Sequence, residues 1–172
     1  MIFNLKKIHF YILSVLSFLY FMNSSCGKGL GYSNSGTTNF YNFVYFGSFG
    51  SSSINSYYLD STGTLKVAAN AIATGGGTSN VNDFAATING KFLYAANKAS
   101  NNVSCYSVDQ LTAVNPGTVT YKSVDPTGTG VSSVAIHPNG KFAYLTNSTA
   151  LTNNISFFRV DQETGVLNSS DA

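Results

Sequence analysis

Short apolar or alternating stretches, separated by polar turns, fill the chain from about residue 42 onward. The clearest example begins with the β-prone run Val131–His137 and resumes after a turn at Phe142–Thr146. That turn reads Pro-Asn-Gly-Lys, and an Asn-Gly pair accepts the positive φ angles that a tight hairpin needs. A third strand is predicted over Asn154–Asp161, and Val166-Leu167 begin a fourth. The pattern therefore predicts four consecutive antiparallel strands.

This four-strand pattern recurs along the chain. Residues 89–97 read Asn-Gly-Lys-Phe-Leu-Tyr-Ala-Ala-Asn, residues 139–147 read Asn-Gly-Lys-Phe-Ala-Tyr-Leu-Thr-Asn, and residues 42–48 form a weaker copy. The aligned tyrosines lie 49 and 50 residues apart, at Tyr45, Tyr94 and Tyr144. Periods of about 40–50 residues made of short strands are typical of β-propeller blades. We therefore predict an all-β fold of four-stranded blades over residues 42–172.

The predicted blades are too few for a closed propeller. A ring needs about 4–8 blades, whereas the repeats in this chain number three. We therefore predict an incomplete ring, whose missing blades would come from a second copy of the chain, as a homo-oligomer, or from another chain. The first repeat shows no innermost strand in its sequence, because glycine-rich polar residues precede it. A single sandwich of short strands is the alternative fold.

The N-terminus has the pattern of a targeting signal. Lys6 and Lys7 precede the fifteen-residue apolar run Ile8–Met22, which is shorter than the roughly 20 residues of a membrane-spanning helix. Two serines and then Cys26 follow, an order that resembles a bacterial lipoprotein signal. This resemblance implies a helical signal peptide over residues 1–25 and lipid attachment at Cys26. Ordinary signal-peptide cleavage and an uncleaved anchor are the alternatives.

Residues 26–41 are predicted to be the lipidated cysteine and a flexible tether, because Gly, Ser, Asn and Thr dominate them. Asn23 departs from the aliphatic residue that such signals carry three places before the cysteine. A free or structural thiol at Cys26, or a disulfide between Cys26 and Cys105, is the alternative to lipidation. The expected location is the bacterial cell envelope, with the lipid holding the protein to the outer membrane or the periplasmic face.

Charge and composition exclude several classes of partner. Without residues 1–25, seven Lys and Arg residues balance seven Asp and Glu residues, and no basic run remains. We therefore predict no nucleic-acid binding. The sequence has no Cys/His spacing typical of zinc sites, and we expect neither a metal nor a cofactor.

The repeats resemble the YVTN-type propellers, a group that includes seven-bladed lactonases related to 6-phosphogluconolactonase. The resemblance rests on Tyr-Leu-Thr-Asn at residues 144–147, Tyr-Ala-Ala-Asn at residues 94–97 and His-Pro-Asn-Gly-Lys-Phe at residues 137–142. It implies blades, since these residues serve turns and packing. One blade of that family opens with Pro-Arg-His before its inner strand, but the aligned residues 81–83 and 131–133 supply neither arginine nor histidine.

A pocket is predicted near the starts of the inner strands, at the four polar residues Asn82, Asp83, Ser132 and Ser133. We predict no catalytic residue. His137 is the only histidine after the signal, and its place before a turn indicates a structural role. Aspartates recur at one blade position, where we expect them to cap turns rather than bind a metal: Asp60, Asp109 and Asp161. Residues 75–77, three glycines, are predicted to connect two blades rather than to bind phosphate.

Three functions remain open at this point. The first is a lipid-anchored module that binds a protein or carbohydrate without catalysis. The second is a hydrolase of a sugar lactone, which the family resemblance alone implies. The third is an inactive gene fragment, because three blades leave open sheet edges that favour aggregation.

Overall fold

The computed structural model describes residues 19–22, 42–48, 53–60, 62–73, 81–110, 116–148 and 153–169. Within these ranges the chain forms twelve strands and no helix. The strands make three four-stranded sheets, each built from four consecutive strands in antiparallel order. The predicted all-β fold of propeller blades is therefore confirmed, with three blades in the part of the chain that the structure describes.

The strands have these bounds. Blade 1 contains β1 (Leu19–Met22), β2 (Asn42–Ser48), β3 (Ser53–Leu59) and β4 (Leu65–Ala73). Blade 2 contains β5 (Val81–Ala86), β6 (Phe92–Asn97), β7 (Asn102–Val108) and β8 (Val119–Pro126). Blade 3 contains β9 (Val131–Ile136), β10 (Phe142–Ser148), β11 (Asn153–Val160) and β12 (Leu167–Ser169).

Blade 1 has an innermost strand, contrary to the expectation from the sequence. β1 pairs antiparallel with β2, with Leu19 opposite Phe46 and Met22 opposite Phe43. These four residues come from the segment predicted to be a helical signal, but a short apolar run does not by itself distinguish helix from strand. Here the extended form supplies β2 with backbone hydrogen-bond partners. Cys26 and the rest of residues 1–41 lie outside the described residues.

The hydrophobic core lies between the blades, in two layers. Successive side chains of a strand point to opposite faces, so the central blade contributes to both layers. Leu93 and Ala95 of β6 pack in the layer shared with blade 1, whereas Tyr94 and Ala96 pack in the layer shared with blade 3. All six residues of β6 are consequently buried.

A tyrosine on the second strand of one blade binds the turn between the third and fourth strands of the next. The Tyr45 hydroxyl donates a hydrogen bond to the carbonyl oxygen of Gly117 at 3.1 Å, and the Tyr94 hydroxyl donates one to that of Gly165 at 2.6 Å. We call each such tyrosine–glycine pair a tyrosine latch. Both glycines have positive φ angles, 82° and 77°.

These glycines also allow the blades to approach closely. A Cβ atom on Gly117 would collide with the ring of Phe43, and one on Gly165 would collide with the ring of Phe92. Each latch therefore combines a buried hydrogen bond with a phenylalanine ring packed directly on the glycine backbone.

The asparagine that ends each Tyr-x-x-Asn motif ties the second strand to the third. The Asn97 amide donates to Asn102 Oδ1 at 2.9 Å and to Ser104 Oγ at 2.8 Å. Asn147 repeats this arrangement with Asn154 and Ser156, each at 2.8 Å. The motif therefore stabilises the interior of a blade, as its predicted role in turns and packing implies.

Tyr94→Phe tests the latch. We expect the free energy of unfolding to fall by about 1 kcal/mol, because one buried hydrogen bond is lost. Tyr121→Phe is the matched control, since Tyr121 lies in the same blade as Tyr94 but is 42% exposed. Urea unfolding measures both variants. Equal losses in the two would contradict a specific role for the latch.

Candidate functional site

The candidate site lies where two inner strands bulge at the same repeat position. On β5, Val81 and Asp83 oppose consecutive residues of β6, so Asn82 is the extra residue. On β9, Ser132 is the extra residue in the same way. A bulge bends its strand and turns side chains away from their regular directions. The two bulges thus bring together polar side chains from neighbouring blades.

Asp83 links blade 2 to blade 3. Its Oδ2 atom accepts hydrogen bonds from the Ser133 hydroxyl at 2.5 Å and from the Val134 amide at 3.0 Å. Its Oδ1 atom accepts one from the amide of Phe84 at 2.9 Å. Both carboxylate oxygens are therefore engaged by donors of the protein itself.

Asn82 crosses the same junction. Its side-chain amide donates to the Ser132 carbonyl oxygen at 2.5 Å. The Ser132 hydroxyl points back into blade 3, where its oxygen lies 2.9 Å from Thr146 Oγ1. The structure therefore brings all four predicted residues together in what we call the inner-strand cluster: Asn82, Asp83, Ser132 and Ser133. Their predicted role in a ligand pocket stays a prediction.

The cluster contains two serines and a carboxylate, but no histidine of the described chain lies beside them. His137 follows the far end of β9, and four residues of extended chain separate it from Ser133 by about 13 Å. It is exposed, and its Nδ1 accepts a hydrogen bond from the Asn139 amide at 3.1 Å. This turn contact agrees with the structural role that the sequence predicted. Ser133 thus has an acidic partner but no imidazole to take its proton.

Cys105 is a buried free thiol in the core between blades 2 and 3. Its Sγ donates to the Gly165 carbonyl oxygen at 3.2 Å, so this oxygen accepts from both Cys105 and Tyr94. Burial raises the pKa of the Cys105 thiol to about 12. Since the thiolate is the nucleophilic form, Cys105 is suited to packing rather than to nucleophilic attack.

Two of the three recurrent aspartates cap turns through their side chains, as predicted. Asp60 Oδ1 accepts hydrogen bonds from the amides of Thr62 and Thr64, both at 2.9 Å. Hydrogen bonding, chiefly from the Thr62 hydroxyl, lowers the pKa of Asp60. Asp161 Oδ1 likewise accepts from the amides of Glu163 at 2.9 Å and Thr164 at 2.8 Å.

The third aspartate closes the equivalent turn through its backbone. The Gly117 amide donates to the Asp109 carbonyl oxygen at 2.7 Å. The described ranges contain no group of three or more His, Cys, Asp or Glu side chains that could hold a metal ion. Residues 75–77, predicted to connect two blades, lie outside the described residues.

A second polar feature lies at the outer edge of the blades, away from the inner-strand cluster. A shallow cleft of about 280 Å³ lies between the outer strands β8 and β12 and is bordered by Asp125, Pro126, Phe158 and Leu167. Burial raises the pKa of Asp125. Sequence analysis missed this residue, because it stands in an outer strand with no repeat partner to single it out.

The chain matches a family model described as "Lactonase, 7-bladed beta-propeller" over residues 36–115. Over these residues the chain is similar to seven-bladed lactonase propellers. This match confirms the resemblance that the repeated Tyr-x-x-Asn segments indicated. A search of curated protein sequences gives no significant match. Among the described residues, no helix has the length and apolar character needed to cross a membrane.

Solved structures show the same fold. A proposed 6-phosphogluconolactonase of Bacteroides fragilis is 27% identical, with a TM-score of 0.64 over 74% of this chain and 34% of that protein. A second such protein, from Bacteroides uniformis, is 23% identical, with a TM-score of 0.65 and coverages of 74% and 36%. The periplasmic gluconolactonase of Pseudomonas aeruginosa is 19% identical, with a TM-score of 0.62 and coverages of 75% and 36%. The chain thus spans just over a third of the length of these structures.

Asp83→Ala tests whether the inner-strand cluster joins the blades. The change leaves the Val134 amide without its acceptor, so we expect unfolding to become easier by about 1–3 kcal/mol. A double-mutant cycle with Ser133→Ala should give a coupling energy of about 0.5–3 kcal/mol. The control cycle pairs Asp83→Ala with Ser132→Ala, whose lost hydroxyl faces Thr146, and should give a coupling near zero. Similar couplings from both cycles would rule out the assigned contact.

Proposed function

We propose that this protein is a lipid-anchored propeller module of the bacterial envelope that binds a ligand without transforming it. The observation that carries the proposal is the hydrogen bonding of the inner-strand cluster. Asp83, the carboxylate at this place, uses both oxygens to hold blade 3 and its own strand. It is therefore a poor candidate for activating water.

Lactone hydrolysis needs a group that takes a proton from the attacking water and donors that stabilise the developing oxyanion. The aligned residues of this chain lack the arginine and histidine with which the lactonase family opens one of its blades. The Ser133 hydroxyl donates a hydrogen bond to Asp83, and the exposed His137 accepts one within its own turn. These features favour binding over catalysis.

Two neighbouring hydroxyls, one of them from the inner-strand cluster, suit a neutral polar ligand. The hydroxyls of Ser132 and Thr146, with their oxygens 2.9 Å apart, form an exposed pair next to the inner strands. Hydroxyl pairs hydrogen-bond well to the hydroxyls of a carbohydrate, because each can both donate and accept. The balanced charge of residues 26–172 argues against a highly charged partner. We propose a neutral carbohydrate as the first ligand class to test.

The proposed anchor is Cys26, with the glycine- and serine-rich residues up to 41 as a tether. Cleavage before Cys26 would remove β1 (Leu19–Met22), so the anchored form would keep β2, β3 and β4 of blade 1. A flexible chain of fifteen residues has an average end-to-end distance of about 20 Å, which would keep the blades clear of the lipid headgroups. Acyl chains contribute about 0.8 kcal/mol per buried CH₂, so more than one chain gives stable attachment.

A sugar-lactone hydrolase is the second candidate. It is supported by the family match over residues 36–115 and by the 27% identity to a proposed 6-phosphogluconolactonase. That protein is nearly three times as long as the part of it that this chain covers. The groups that act on a lactone in a full ring would therefore have to come from blades beyond the three described.

The first test separates binding from catalysis. The purified full chain is incubated with glucono-δ-lactone and with 6-phosphogluconolactone, and acid release is followed at constant pH. We expect the rate to equal that of buffer, while the same sample is retained on an array of neutral glycans and Ser132→Ala weakens that retention. Lactone turnover above the buffer rate, lost on Asp83→Ala, would favour the hydrolase instead.

The second test concerns the anchor. Cells expressing the protein are fed a radiolabelled fatty acid, and the protein is recovered and counted. We expect the label to be incorporated and to disappear in Cys26→Ser, because the thiol is the proposed attachment atom. Cys105→Ser is the matched control and should keep the label, since Cys105 is buried between blades. Labelling that survives Cys26→Ser would refute the proposed anchor.

A further inference from the structure

The tyrosine latch is formed at both junctions within the chain, but its tyrosine recurs once more at the free face of blade 3. Tyr144 occupies the position of Tyr45 and Tyr94 in the repeat. Those two tyrosines are completely buried, with 0% exposure, whereas Tyr144 is 39% exposed. Blade 3 therefore presents the donating half of a latch.

The surface around Tyr144 has the composition of a blade junction. The ring of Phe157 lies 5.3 Å from that of Tyr144 and 5.5 Å from that of Phe142, measured between centroids. Ile155 is exposed beside them, whereas its counterpart in blade 2, Val103, is buried under blade 3. This face is an ordered apolar patch of the kind that marks a docking surface.

Blade 1 presents the complementary half. Gly63 stands at the position of Gly117 and Gly165 and has the same left-handed backbone, with φ at 79°. Its amide donates to the Asp60 carbonyl oxygen at 2.9 Å, as the Gly165 amide does to that of Asp161. A Cβ atom on Gly63 would meet nothing within 4 Å. The turn is therefore formed and uncovered.

The residue two places after this glycine is also exposed in blade 1 but buried in blades 2 and 3. Leu65 opposes Leu59 in blade 1, as Val119 opposes Val108 in blade 2 and Leu167 opposes Val160 in blade 3. Leu65 is 46% exposed, whereas Val119 and Leu167 are 4% and 3% exposed. Val119 packs in the core layer shared with blade 1, and Leu167 in the layer shared with blade 2.

We propose that blade 3 of one copy of this chain docks on blade 1 of a second copy, with the Tyr144 hydroxyl donating to the Gly63 carbonyl oxygen. The occupant is a second copy because both halves of the contact are present on one chain and each repeats an internal junction. The contact joins unlike surfaces and is therefore head-to-tail. If each copy makes the contact at both of these faces, two copies form a closed dimer.

The test uses the full chain in detergent, with its mass measured by sedimentation equilibrium at matched solvent density. We expect a dimer for the wild type. Tyr144→Asp and Gly63→Asp should each weaken the dimer at least about tenfold, because either change places a charge in an apolar contact. Asp is tolerated in the left-handed region better than most residues, so Gly63→Asp preserves its own turn. Ile88→Asp is the control, since Ile88 is 65% exposed in a turn of blade 2.

Mixing the two defective variants distinguishes a head-to-tail contact from any other. Tyr144→Asp retains the Gly63 turn and Gly63→Asp retains the Tyr144 face, so an equimolar mixture should form a one-to-one complex that neither forms alone. Thermal unfolding of each variant verifies that it is folded. A monomeric wild type at high micromolar concentration, no complex in the mixture, or equal dissociation by Ile88→Asp would each overturn the proposal.

Discussion

Face-to-face packing of successive blades is the constraint on which the rest of this structure depends. Each sheet has two apolar faces, and neither can be exposed without cost, so every blade needs a neighbour on both sides. The tyrosine latch sets the spacing and alignment of that packing. Its glycine lets the facing phenylalanine ring contact the backbone, and its carbonyl oxygen accepts the buried tyrosine hydroxyl.

The repeated motif explains why so much of the fold could be predicted. Asn-Gly turns and Tyr-x-x-Asn strands are local signals, and they located the strands of blade 3 and the second strand of blade 2 within a few residues. The innermost strand of blade 1 was missed, because an apolar run such as Leu19–Met22 fits a signal segment and a strand equally well. The pairing that selects the strand is made with β2, more than twenty residues away in the sequence, and no local pattern reports it.

The sequence predicted which residues lie at the candidate site, but not which of them are in contact. Asp83 and Ser133 could be placed at the starts of inner strands from the repeat alignment alone. Their hydrogen bond depends on a bulge in each strand and on the offset between neighbouring blades. Those are properties of packing. The same contacts favour a structural role for Asp83, because a carboxylate that joins blades is less available for chemistry.

Packing of the blade faces can be separated from hydrogen bonding by comparing β6 with β10. Both strands are hydrogen-bonded on each side within their sheets, but β6 is buried on both faces, whereas β10 alternates between buried and exposed residues. Native-state hydrogen exchange at low protein concentration, resolved by peptide, measures the stability of each strand directly. If blade-to-blade packing controls stability, the amides of β6 exchange more slowly than those of β10. Equal exchange in the two strands, or slower exchange in β10, would contradict this account.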